Sequence, residues 1–196
     1  MPPAIALPNV TPAQKLRGRV QLLLILAVVI GPMLLASAMY HWRFWVPEGR
    51  NYHGELIGTG QRLSDLGVDA VAGGEPHWQL LVTVPQNCDA ACHKLVYIAR
   101  QVHIGLNRDA NRASHALANA QPLPQQYAEQ LKREYPQLAR YALELERFEK
   151  TAGKVDGAQL WIVDPLGNLV LRYGADSQGK AILDDLRLLL KVSQIG

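Results

Sequence analysis

Sulfur is scarce in this chain of 196 residues: it has two cysteines and three methionines, and all three methionines precede residue 40. A metal site built on thioethers is therefore excluded from the rest of the chain. Charge of one sign is scarce as well. Twenty basic residues stand against 17 acidic ones, a net charge of +3, and no basic run follows the first twenty residues. That balance leaves no electrostatic footprint for nucleic acid, which is not expected as a partner. Internal repeats and low-complexity tracts are missing, as are a glycine-rich phosphate loop, zinc-ligand spacing and a nucleophile elbow. From Val20 to Tyr40 (VQLLLILAVVIGPMLLASAMY) charge is missing altogether.

That uncharged block is the first thing the chain does have. About 20 residues, each rising about 1.5 Å, cross a hydrocarbon core about 30 Å thick. Pro32 lies inside the block, which membrane helices tolerate. Lys15, Arg17 and Arg19 precede it, and Tyr40, Trp42 and Trp45 follow at the level of an interfacial aromatic belt. The positive-inside rule then keeps the N-terminus cytoplasmic and exports the C-terminal part. A cleaved signal peptide is the competing reading, with Ala36-Ser37-Ala38 as the small-residue cleavage site. The length of the block and the aromatic cluster favour an uncleaved anchor. The expected location is the inner (plasma) membrane, single-pass, with a periplasmic or otherwise exported domain. The expected division is a cytoplasmic segment 1–19, a transmembrane helix 20–41, a linker leading into the domain 42–75, and an exported domain 76–196.

Within the exported part, Val46 to Gly60 holds one proline and four glycines and reads as linker. Trp78 to Val84 (WQLLVTV) is a short apolar run between Pro76 and Pro85, a buried strand. After Pro85-Gln86-Asn87-Cys88-Asp89-Ala90-Ala91-Cys92, the residues Leu95, Val96, Ala99, Val102 and Leu106 recur at helical steps. Asn87 or Asp89 is placed to cap that helix, and Asn107 to Arg112 ends it. Ala113 to Ala118 reads as a weaker second strand. Gln125 to Glu149 is helical in composition, and Pro136 splits it. Ala158 to Val163 and Leu169 to Tyr173 are paired strands around the turn Asp164-Pro165-Leu166-Gly167-Asn168. Lys180 to Val192 closes the chain as an amphipathic helix, on which Asp184 and Asp185 read as a solvated face. Trp78 and Trp161 read as core aromatics, and His41, His53 and His77 as juxtamembrane or loop residues. The fold class expected is α/β: a thioredoxin-like mixed sheet with flanking helices, preceded by one N-terminal transmembrane helix.

The two cysteines are Cys88 and Cys92, four apart where a strand hands over to a helix. Helical residues four apart lie about 6 Å from each other, within reach of a disulfide. So short a loop constrains the unfolded chain little, which argues against a purely structural staple. Free amides and the helix dipole at that junction favour a thiolate. A thiolate is both the nucleophile of disulfide exchange and a soft ligand for Cu(I).

The C-x-x-x-C turn after a buried strand, behind one membrane anchor, resembles the Sco/SenC proteins. So does the closing segment LWIVDPLGNLVLRYG with the helix around ILDDLRLLL. These are thioredoxin-like copper chaperones or thiol reductases of cytochrome c oxidase assembly. The resemblance runs from Trp78 to the C-terminus and implies that Cys88 and Cys92 carry the chemistry, with Cu(I) as the metal. It implies cytochrome c oxidase subunits or copper-delivery proteins as partners, beside the membrane itself. Three departures stand out. His93 replaces the proline that usually follows the second cysteine. Lys154-Val155-Asp156-Gly157 stands where the family carries its third copper ligand, a histidine. A cis-proline facing the cysteines, usual in thioredoxin reductases and oxidases, is missing from that stretch. His93 reads as a surface or capping residue, because helical neighbours point about 100° apart and do not readily grip one ion with Cys92. His115, on the second strand, is the remaining candidate third ligand. Asp156 offers a carboxylate that suits Cu(I) poorly. In the redox version Cys88 attacks and Cys92 resolves. Two classes stay open: a thiol–disulfide oxidoreductase or Cu(I) handler in oxidase biogenesis, and a scaffold of the same fold that lost the chemistry. A general exported thiol oxidoreductase is a third reading.

Overall fold

The computed structural model describes residues 12–42, 52–58, 60–69, 77–155 and 157–193. The chain falls into two units, Met1–Gly49 and Arg50–Gly196. The first holds one helix, α1 (Pro12–Trp42), with Pro32 inside it. Its stretch Leu16–Met39 is long and apolar enough to cross a membrane. The apolar residues run around the whole circumference, the pattern of a helix that meets lipid rather than a single core.

The second unit is built on a six-stranded sheet. Its elements are β1 (Glu55–Leu56), β2 (Trp78–Val84), α2 (Ala90–Gly105), a 3-10 turn (Asn107–Arg112), β3 (Ala113–Asn119) and α3 (Gln125–Glu134). Then follow β4 (Ala139–Ala142), α4 (Leu145–Ala152), β5 (Gln159–Val163), β6 (Leu169–Tyr173) and α5 (Gly179–Val192). The strand order is β1-β6-β5-β2-β3-β4. β2, β3 and β4 run parallel, whereas β5, β6 and β1 pair antiparallel. This is the thioredoxin-like mixed sheet with flanking helices expected from the sequence, extended by one short strand at each edge.

β2 lies at the centre and is apolar on both faces, which explains its unbroken hydrophobic run. Leu80, Val82 and Val84 face a core shared with Leu95, Val96 and Ala99 of α2, Leu131 of α3, and Ile182, Leu186 and Leu190 of α5. Leu81 points the other way, with Ala116, Ala118, Trp161 and Val163, onto Phe148 of α4 and onto Leu63, Leu66 and Val68. Trp161 also donates from its indole nitrogen to the Thr83 hydroxyl at 2.9 Å, so these two buried polar groups satisfy each other. The turn at 164–168 closes on the Asp164 carboxylate, which accepts from the backbone of Leu166 and Asn168.

Three expectations need correction. The stretch Val46–Gly60 is not linker throughout, since Glu55 and Leu56 pair with β6; in the domain entry that follows, Leu63, Leu66 and Val68 belong to the second core. The segment 125–149 is not one split helix, because after Pro136 the chain forms β4 beside β3. Asp185 is not on a solvated face. It is 1% exposed, and its carboxylate accepts from the His53 backbone (2.7 Å), the His53 ring (2.8 Å), the Gly54 backbone (3.0 Å) and the Tyr173 hydroxyl (2.7 Å). Burial opposes the charge on Asp185, but the bonds from Tyr173, His53 and Gly54 outweigh it and hold the carboxyl below its ordinary range. His53 thus has a partner, and Asp184 alone is solvent-facing.

Candidate functional site

β2 ends at Val84, and five residues later Asp89 begins α2. Asp89 adopts an extended backbone, and its carboxylate accepts from the Cys92 amide at 3.0 Å. It is the N-cap, one of the two residues the sequence offered. The geometry fixes both sulfurs. Cys92 lies in the first turn of α2 and is fully buried, while Cys88 precedes the cap and is half-buried against the first core. The two form a disulfide with α-carbons 5.2 Å apart. One sulfur is therefore reachable and the other shielded, an asymmetry suited to exchange chemistry. The helix dipole favours a thiolate here, but the Asp89 carboxylate beside it opposes the same charge.

The histidines settle away from the pair. His93 is exposed, with its ring stacked on Tyr127 of α3 at a centroid distance of 3.8 Å. Burial pushes the Tyr127 phenol up to about 12, so it remains a neutral partner. His115 does not complete the cysteine site. The parallel register pairs it with Leu80, four residues back from Val84, which is about 13 Å along the strand. It stands instead beside His103 in the last turn of α2, with ring centres 5.0 Å apart. Asp156 lies outside the described residues. Among the described residues no group of three or more His, Cys, Asp or Glu is placed to share a metal ion. A three-ligand copper set of the Sco type is therefore not assembled there, whereas two soft thiolates remain a fitting pair for Cu(I) once reduced.

Sequence reasoning missed Tyr127 and His103. Tyr127 carries no motif, and its contact with His93 depends on where α3 crosses α2. His103 had a local signal, since it lies on the helix whose period was read, but its neighbour His115 comes from a strand twelve residues later.

No curated protein matches the chain. Solved structures similar to it include copper-bound ScoI of Arabidopsis thaliana, 14% identical, covering 61% of this chain and 87% of that one with a TM-score of 0.48. Copper-bound Sco1 of yeast is also 14% identical, covering 61% and 81% with a TM-score of 0.47. A thiol:disulfide interchange protein of the DsbE kind from Chlorobium tepidum is 10% identical, covering 67% and 85% with a TM-score of 0.44. Residues 12–43 match the model of a transmembrane-like N-terminal domain, and residues 78–193 match that of a transmembrane-like, thioredoxin-like C-terminal domain. The chain belongs to this transmembrane-like, thioredoxin-like family.

Proposed function

We propose that this is a membrane-anchored thiol–disulfide exchange protein whose domain, exported by the positive-inside orientation, works through Cys88 and Cys92. The observation that carries the reading is the disulfide at the β2–α2 junction, with Cys88 half-buried and Cys92 fully buried. In the reduced protein the Cys88 thiolate attacks a client disulfide. A mixed disulfide forms, and one client sulfur leaves as a thiolate. The Cys92 thiolate then attacks the Cys88 sulfur and releases the second client sulfur. Two electrons pass to the client, its thiolates take up protons, and the Cys88–Cys92 bond closes. The reverse sequence oxidises a client.

A second reading rests on the softness of the same sulfurs: the reduced pair holds Cu(I) as cargo in two-sulfur coordination. Copper-bound ScoI and Sco1 among the similar structures support it. In either version the role is accessory work in cytochrome c oxidase biogenesis, with an oxidase subunit or a copper-delivery protein as client. The competing class, a scaffold without chemistry, predicts that the sulfurs are dispensable.

The test uses the full chain in micelles beside its Cys88→Ser/Cys92→Ser variant. Equilibration with glutathione buffers should give one reversible two-electron couple, and Cu(I) competition against a chromophoric chelator reads the second reading directly. A couple without copper binding leaves exchange alone, and one tight equivalent lost in the variant supports both. Oxidase assembly that survives the double substitution in cells sinks the chemical readings and leaves the scaffold.

A further inference from the structure

His115 is 3% exposed, and neither ring nitrogen has a hydrogen-bond partner. A buried imidazole left this way is costly on a strand face whose flanking positions are Ala113 and Leu117, so the position invites an explanation. Its neighbour supplies one. The His103 Nε2 lies 3.0 Å from the Ala110 carbonyl. Donation from Nε2 to that carbonyl leaves the lone pair on Nδ1, the way metal-ligating histidines are held by an outer backbone acceptor. The two rings line a common cavity of about 480 Å³, with Asn111, Ser114 and Gln137 on its wall.

We infer that His103 and His115 form a bis-imidazole site for a borderline transition-metal ion of the Zn²⁺ or Cu²⁺ class, at the end of α2 remote from the cysteines. The ring spacing fits. Metal–nitrogen bonds of about 2 Å place each ring centre about 3 Å from an ion, and centres 5.0 Å apart then subtend about 110°, a tetrahedral angle. Protons compete weakly for the site. Burial, then the nearby His103 and Arg100, push the His115 pKa down to about 4, so its nitrogen is unprotonated at neutral pH. Two charged groups face the rings from a smaller adjoining cavity, Glu134 and Arg100. The Arg100 guanidinium sits over the Tyr135 ring at 5.0 Å, and Glu134 offers an opposing charge. No third protein ligand stands with the pair among the described residues. The ion therefore keeps open positions for water or an outside ligand, as in a site that exchanges its metal rather than stores it. The inference is independent of the sulfur chemistry.

The test is a Zn²⁺ titration of the full chain in micelles, with the Cys88–Cys92 disulfide intact so that thiolates cannot bind. A chromophoric chelator reports affinity, and Cu²⁺ paramagnetic resonance reports nitrogen ligands. One equivalent is expected, with nitrogen hyperfine structure from two imidazoles. Affinity should fall about 10- to 100-fold or more in His103→Gln and in His115→Phe, and should be unchanged in His93→Ala. His103→Gln, on a half-buried helix end, keeps the test valid if His115→Phe does not fold. No binding, or binding that both substitutions leave intact, overturns the inference.

Discussion

Acid should weaken this domain through one residue. His115 is neutral in the folded protein down to about pH 4, whereas the unfolded chain protonates it near the ordinary imidazole value of 6.5. Between about pH 4 and 6.5 the unfolded state binds the extra proton, so falling pH draws the equilibrium toward unfolding. The loss begins near pH 6.5 and levels off below about pH 4. Integrating the two titrations gives a destabilisation of about 2 kcal/mol on going from pH 7 to pH 5. Carboxylates contribute little in that window, because they titrate lower. The assay is urea unfolding of the full chain in micelles, followed by the fluorescence of buried Trp161, with chelator present to keep the histidines metal-free. His115→Leu removes the titrating group from a buried strand position, so its curve should lose about 2 kcal/mol less between the two pH values. Equal losses in both proteins would refute the account of His115 as a buried neutral base.

Three other outcomes follow from the geometry. Asp185→Ala strips the acceptor from the His53 ring, two backbone amides and the buried Tyr173 hydroxyl, and should cost about 3 kcal/mol by denaturant midpoint. A loss below about 1 kcal/mol would mean water replaces the carboxylate. Gly67→Ala should cost about 1–3 kcal/mol, because φ is +79° and an added β-carbon would meet the Glu144 carbonyl at 2.5 Å; an unchanged midpoint would contradict the packing of 63–68 on α4. Asp89→Asn keeps a capping oxygen but removes a charge beside Cys92, which favours the reduced thiolate form. The potential of the pair should rise by about 10–30 mV in glutathione buffers, and an unchanged potential would show that the carboxylate acts through capping alone.

Much of the fold was legible because each element carried its own signal. β2 was an apolar run between turn residues, α2 had a cap and a 3.6-residue stripe, and β5–β6 had a complete turn between them. β4 was hidden, since Ala139–Ala142 alternates between half-buried and exposed positions and has helix-forming composition. β1 was hidden for a stronger reason: two exposed residues form a strand only because β6 offers an edge. Asp185 was misread because helical periodicity cannot see a partner 132 residues away. At the site, the cysteines and the Asp89 cap were local and readable. The remoteness of His115 was not, since it depends on the register of β3 against β2.

The short edge strands limit how a client can be held. β1 offers two residues and β4 offers four, with Arg140 exposed on the latter. Edges this brief, each with an exposed charged residue, Glu55 on β1 and Arg140 on β4, resist the addition of a foreign strand. A polypeptide client therefore gains little from backbone ladders of the kind that many peptide-binding domains use. In the exchange chemistry proposed above, its hold on the domain comes from side chains around the β2–α2 junction and from the transient sulfur bond itself. Release then follows directly when that bond is resolved, without a paired strand to peel away.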